Sequence, residues 1–269
     1  MARLAIFQPD ARSGARLTAA LGGAHDLVRC TSWEELTDAM ETAAVEGCLL
    51  DADHPSRDLA IPRIKLLRDS YPDFALIGFT DRETPIEYYR LGASGLEGFV
   101  AGTAGAMTTR NAVDEALAIR RGRIVGHALE AHVEAPLPDA VGWSVVHATS
   151  DVTVEELARG VGCSLRALRE NLRARSLPTP AVLMLWGRLV AAAARLHRDG
   201  RGVEETAFAV GYSSGPSLAR ASRNQMGATP MQLAERGPEH VVESFVSHVT
   251  GAHIRVSLGP TSSTEPIHE

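Results

Sequence analysis

Two stretches of this chain follow one plan. The first runs Val154-Glu155-Glu156-Leu157-Ala158, turns at Gly160-Val161-Gly162-Cys163, and restarts at Ser164 with Leu165-Arg166-Ala167-Leu168-Arg169-Glu170-Asn171-Leu172. The second runs Val203-Glu204-Glu205-Thr206-Ala207, turns at Val210-Gly211-Tyr212-Ser213-Ser214, continues from Ser217 through Leu218, Arg220 and Arg223, and closes at Gly227-Ala228-Thr229-Pro230. A repeated supersecondary unit constrains the fold more than any composition value does. Each copy reads as a short helix, a Gly-containing turn and a Ser-started second helix, the plan of a helix pair that lays its second helix in a DNA major groove. Between the copies, Thr179-Pro180 starts a helix expected over 181–197. Its apolar stripe is Leu183, Trp186, Val190 and Ala193/Ala194, and Asp199-Gly200 is its expected end.

The Gly211-Tyr212-Ser213-Ser214 turn, Leu218 and Arg220 in the next helix, and Gly227 with Pro230 behind it resemble the AraC/XylS family of transcription regulators. The resemblance covers roughly residues 138–236. It implies an all-helical domain of two helix-turn-helix units that binds double-stranded DNA. By position it implies that Arg166, Arg169 and Glu170 face base edges from the first reading helix, which Ser164 starts, with Ser217 and Arg220 doing so from the second. Arg173, Arg201 and Arg223 are expected on phosphate instead. Leu165, Leu168 and Leu172 form the opposite, buried side of the first reading helix. Two departures stand in the second unit: Ser222 occupies a position that is aromatic in the family, and Gly215-Pro216 offers no side-chain donor at the helix tip. The first unit is therefore expected to dominate specificity.

Net charge bears on the same question. The overall value of −6 argues against a nucleic-acid partner. Divided, the chain reads differently: residues 1–150 hold 14 Lys+Arg against 21 Asp+Glu, whereas residues 151–236 hold 12 against 8. The basic segment is the one with the repeated units, and every cation in it is Arg. Arg grips a guanine edge or a phosphate with two hydrogen bonds, which Lys cannot do.

The first hundred residues alternate short apolar runs with helical patterns. Strands are expected at 4–7, 25–30, 47–50, 74–79 and 95–100, with helices at 11–21, from Ser32 to about 46, 59–71, 85–91 and 112–119. Ser32 with Glu35 three residues on makes a capping box. This alternation implies a doubly wound, five-stranded parallel sheet covered on both faces. Leu49-Leu50-Asp51-Ala52-Asp53-His54-Pro55, Phe79-Thr80-Asp81 and Leu91-Gly92-Ala93-Ser94-Gly95 resemble the receiver domain of response regulators over about residues 1–121. The resemblance places Asp51 at the phospho-acceptor position and Thr80 at the switch-hydroxyl position. It also marks departures. Gln8-Pro9 stand where a receiver has two carboxylates that hold Mg²⁺, Asp10 comes one position late, and Phe99 stands where a receiver has Lys. A hard cation needs several oxygen ligands, which Gln8-Pro9 do not supply.

The expected divisions are an α/β domain at 1–121, a linker at 122–137 containing the breaker Glu134-Ala135-Pro136-Leu137-Pro138, a DNA-binding domain at 138–236, and a short helix with a disordered tail at 237–269. Within these, 108–131 reads as a helix interrupted by Gly122 and Gly126. Residues 139–148 read as a lead-in helix with Trp143 and Val146 as core. The function expected is sequence-specific DNA binding by a cytoplasmic regulator whose degenerate receiver-like domain senses or dimerises without phosphorylation. A phosphorylated response regulator using Asp51 is the alternative, and a phosphatase-like enzyme using Asp51 and Asp53 is a second. The expected partners are DNA, a second copy of the chain, and a small-molecule or protein signal at the N-terminal domain; no membrane partner, catalytic residue, metal or cofactor is expected. Cys30, Cys48 and Cys163 are odd in number and read as reduced thiols.

Overall fold

The computed structural model describes residues 2–81, 84–149, 151–199, 202–251 and 255. The chain divides into two compact units, one reaching Arg120 and the other spanning Arg121–Leu258.

In the first unit β1 (Arg3–Phe7), β2 (Asp26–Cys30), β3 (Gly47–Asp51), β4 (Ala75–Thr80) and β5 (Gly98–Ala101) form one parallel sheet in the order β2-β1-β3-β4-β5. Helices α1 (Ala11–Leu21), α2 (Trp33–Thr42), α3 (Arg57–Ser70), α4 (Pro85–Gly92) and the first part of α5 (Ala106–Glu130) connect and cover it. This strand order is that of flavodoxin and of receiver domains, and the expected doubly wound sheet is observed. Every residue of β4 is buried, as a central strand covered on both faces requires. One face packs Phe7, Leu50, Leu76 and Trp33; the other packs Ile6, Leu49, Ile77 and Leu117.

Two boundaries move for identifiable reasons. Helix α2 stops at Thr42, not near residue 46, because Glu46 already belongs to the sheet: its N–H donates to the Arg3 carbonyl and its carbonyl accepts from Ala75. Strand β5 begins at Gly98, not Gly95. Gly95 lies at φ +96, and the Glu97 side chain folds back to accept from the Leu76 N–H and from Arg68, both at 2.6 Å. Phe99 is thus inside β5, and the strand's last residue is Ala101, opposite Thr80.

The second unit is all helical: the remainder of α5, then α6 (Leu137–Val146), α7 (Val154–Gly160), α8 (Leu165–Ala174), α9 (Pro180–Asp199), α10 (Val203–Ala209), α11 (Gly215–Met226) and α12 (Pro230–Thr250). The long α9 carries the core through Leu183, Trp186, Val190, Ala193 and Ala194, all buried as the stripe predicts. Gly200, expected to end it, and Arg201 lie outside the described residues. In α6 the buried apolar side chains include Leu137, Ala140, Val141 and Val145, while Trp143 and Val146 are half-buried and Trp143 packs against the core from its edge.

The expected linker is not one. Residues 122–130 continue α5 without a break, and Val125, Leu129 and Leu137 join the helical core. Gly122 does not interrupt the helix because it serves a crossing: a Cβ there would lie 2.6 Å from the Gly142 carbonyl oxygen, and one on Gly142 would lie 2.7 Å from the Gly122 carbonyl oxygen. The two backbones touch where α5 meets α6. At Gly126 the nearest atom to a Cβ is 3.4 Å away. Gly122→Ala is therefore expected to destabilise the helical unit by about 1–3 kcal/mol. Gly126→Ala, one turn on, is expected to be neutral or to stabilise by up to about 1 kcal/mol. Urea denaturation of the two variants checks this, and equal effects would refute the crossing as the reason for Gly122.

The short helix expected after residue 236 is present. It extends α12 past a kink at Gly237 (φ 79), and Val241, Val242, Phe245 and Val246 are buried, with the Phe245 ring 5.2 Å from Trp186. The expected disordered tail from Gly259 lies outside the described residues. Among the described residues, no helix is long and apolar enough to cross a membrane.

Candidate nucleic-acid interface

Helix α8 is fixed from both ends. Thr153 and Glu156 form a capping box at the start of α7, which holds the first unit's entry. Ser164 then caps α8, its hydroxyl accepting from the Ala167 N–H at 3.1 Å. Leu168 and Leu172 are buried in the core beneath. The opposite face is exposed and presents Arg166, Arg169, Glu170 and Arg173. Arg166 pairs with Glu170 at 2.8 Å, with both side chains more than half exposed. Such a solvent-screened pair is weak and opens readily when a better partner arrives. Arg169 and Arg173 make no ion pair or hydrogen bond among the described residues. The structure therefore brings the four predicted charged residues to one surface and gives Ser164 a capping task.

Helix α11 has Gly215-Pro216 at its tip, as expected. It begins at Gly215, with Ser214 as the cap and Pro216 in the first turn. The Ser217 hydroxyl completes a capping box with Ser214, accepting from its N–H at 3.0 Å and donating to its carbonyl at 2.7 Å. Ser217 is half-buried, with its hydroxyl engaged at the helix terminus. Arg220 and Arg223 are exposed and unpaired among the described residues.

Three residues that the sequence reading passed over or left unexplained shape this helix. Glu204 of α10 accepts from the Gly215 N–H at 2.7 Å, and a Cβ on Gly215 would sit 2.5 Å from that carboxylate oxygen. Gly215 is therefore there to admit the carboxylate, and the tip of α11 carries a negative charge. Ser222 is fully buried and donates to the Ala228 carbonyl, which ties the helix to its left-handed end at Gly227 (φ 64). An aromatic ring at 222 cannot make that bond. No sequence spacing signals the Glu204 contact, which joins residues 11 apart in neighbouring helices.

In the first unit, Asp51 ends β3 beside the end of β1, where strand order reverses and doubly wound sheets place their sites. Its carboxyl is half-buried. Burial raises its pKa, with the Asp53 charge adding to the effect, while the Asp53 N–H and the Gln8 side chain bond it and act in the opposite sense. The Gln8 amide oxygen accepts from the Asp10 N–H at 2.9 Å, and Asp10 caps α1 through the Ser13 N–H at 2.8 Å. Gln8 and Asp10 therefore already have partners, and they do not fit a Mg²⁺ site.

Thr80 is completely buried, and its hydroxyl donates to Asp53 at 2.8 Å. It accepts from Arg57 at 2.6 Å, and the same Arg57 nitrogen lies 2.5 Å from the other Asp53 oxygen. Arg57, the first residue of α3, is 6% exposed. A guanidinium from α3 thus holds the switch-position hydroxyl and the second acid together. This also bears on the phosphatase alternative, since Asp53 is engaged at both oxygens. The strand end opposite Thr80 is Ala101, so the conclusion drawn at Phe99 holds at the corrected position: β5 supplies no ammonium there. Arg57 is legible afterwards as a base four residues beyond Asp53, but spacing alone does not show that it turns inward.

Residues 157–236 match a family described as a helix-turn-helix domain. No curated protein matches the chain. Among solved structures, the chain is similar to a response regulator from Thermotoga maritima, at 8% identity over 44% of this chain and 98% of that one, with a TM-score of 0.41. A putative response regulator from Chloroflexus aurantiacus J-10-fl shows 17% identity over 44% and 98%, with a TM-score of 0.39. A response regulator receiver domain protein (CheY-like) from Methanospirillum hungatei JF-1 shows 12% identity over 46% and 98%, with a TM-score of 0.41. With the sheet order and the paired helix-turn-helix units in place, the chain carries an AraC-type helix-turn-helix domain behind a receiver-like α/β domain.

Proposed function

We propose that the protein is a sequence-specific transcription regulator whose receiver-like domain works without phosphorylation of Asp51. The observation that carries the DNA reading is the exposed face of α8, with Arg169 and Arg173 unpaired opposite the buried Leu168 and Leu172. In this reading Arg166, Arg169 and Glu170 read base edges in one major groove, and α11 enters the next through Arg220. Arg173 and Arg223 hold phosphate. The Glu204 carboxylate at the tip of α11 repels the backbone there, which supports the first unit as the main reader. The partners are double-stranded DNA and a second copy of the chain, with a small-molecule or protein signal at the N-terminal domain. Selection of bound sequences from random duplexes, repeated across salt concentrations, tests DNA binding; no enrichment, or no salt dependence, would count against it.

Phosphorylation independence is supported by the Arg57–Asp53–Thr80 cluster and by the prior engagement of Gln8 and Asp10. A phosphoryl group on Asp51 would add about two negative charges beside Asp53 without a metal to offset them. Wild type and Asp51→Asn are expected to bind the selected DNA equally, with or without acetyl phosphate and Mg²⁺. A mass gain at Asp51 that alters DNA affinity, and that the Asn variant lacks, would overturn this.

A further inference from the structure

A cavity of about 260 Å³ opens within the helical unit. Its walls are Val152 and Val154 at the start of α7, Met184 and Leu185 on α9, and Tyr212 in the turn between α10 and α11. Arg188 lines it one turn beyond Met184. Two polar groups here lack partners. The Tyr212 hydroxyl is buried with no hydrogen-bond partner, and Arg188 makes no ion pair or hydrogen bond among the described residues. The two are close enough that the Arg188 charge acts on the Tyr212 phenol, which burial otherwise raises in pKa. The guanidinium also lies against the Gly211 turn, 3.5 Å from where a Cβ would stand.

A cation beside apolar walls favours an anion that shares those walls. We infer that this cavity binds a small monocarboxylate with an apolar body, its carboxylate held by Arg188. The size suits one ring: a cavity of about 150 Å³ already holds benzene, so this one accommodates a ring and a carboxylate. Inorganic phosphate would leave Val152, Val154, Met184 and Leu185 uncovered. The ligand touches the entry of the first helix-turn-helix unit, the connecting helix and the turn of the second, so it bridges both. The inference concerns binding alone and holds whether or not the chain binds DNA.

Calorimetric titration of the full chain with benzoate tests it. Saturable binding at one site is expected. Benzyl alcohol, which keeps the ring and loses the charge, is expected to bind the wild-type protein at least about tenfold more weakly. Arg188→Met should weaken benzoate at least about tenfold. Ala181→Trp, placed on the exposed first turn of α9 at the cavity wall, should abolish binding with the helical circular dichroism unchanged. Non-saturating heats, equal affinity for benzoate and benzyl alcohol, or full affinity in the Ala181→Trp variant would each overturn the assignment. The benzyl alcohol comparison needs no variant to fold.

Discussion

Replacing Arg57 with Met is expected to destabilise the α/β domain by about 3 kcal/mol, the cost of leaving one member of a buried charged pair without its partner. Arg57 is 6% exposed, and the Asp53 side chain is 21% exposed, so solvent screens the acid only in part. Without the guanidinium, Asp53 faces the half-buried Asp51 with only the Thr80 hydroxyl to bond it. Met preserves the packing of the stem, which separates loss of charge from loss of volume. Asp53→Ala in the Arg57→Met background should recover part of the loss, with a coupling of about 1–3 kcal/mol between the two positions. Denaturant unfolding of the full chain, followed by a probe of the α/β domain such as Trp33 fluorescence, reads both values. A loss under about 0.5 kcal/mol, the size of an ordinary surface substitution, would mean that the cluster does not hold the strand ends together.

Arg169→Ala is expected to weaken binding to the selected DNA sequence by about 1–3 kcal/mol while leaving binding to random DNA nearly intact. Arg173→Ala should weaken both alike and reduce the salt slope by about one. The contrast follows from their places on α8: Arg169 lies near its middle, and Arg173 lies in the last turn, where a cation also favours the helix end. Arg220→Ala should cost less discrimination than Arg169→Ala, because α11 presents its only early donors, Ser214 and Ser217, to its own capping box. Competition binding with specific and random duplexes measures all three. Equal losses on both duplexes for Arg169 would reassign it to the backbone, and a larger specificity loss at Arg220 would reverse the order of the two units.

The sequence by itself determined what local chemistry determines. Ser32, Ser164 and Thr229 cap helices because a short side-chain oxygen reaches the first free N–H groups. The buried stripe of α9 follows from the helical period, and the sheet follows from apolar runs alternating with amphipathic ones. The charged face of α8 was legible for the same reason: the leucines at 165, 168 and 172 fix which side is turned outward. What required the tertiary structure is every contact that the period of a single element does not fix. Gly122 reads as a helix breaker until Gly142 is seen against it. Gly215 reads as a missing donor until Glu204 arrives from the preceding helix. Ser222 reads as a lost aromatic until the Ala228 carbonyl is seen within reach. At the strand ends the sequence shows which residues a receiver would need and lacks, but not that a guanidinium from α3 turns inward to hold Thr80 and Asp53. Periodicity records which face of an element is buried; it does not record which atom of another element meets it there.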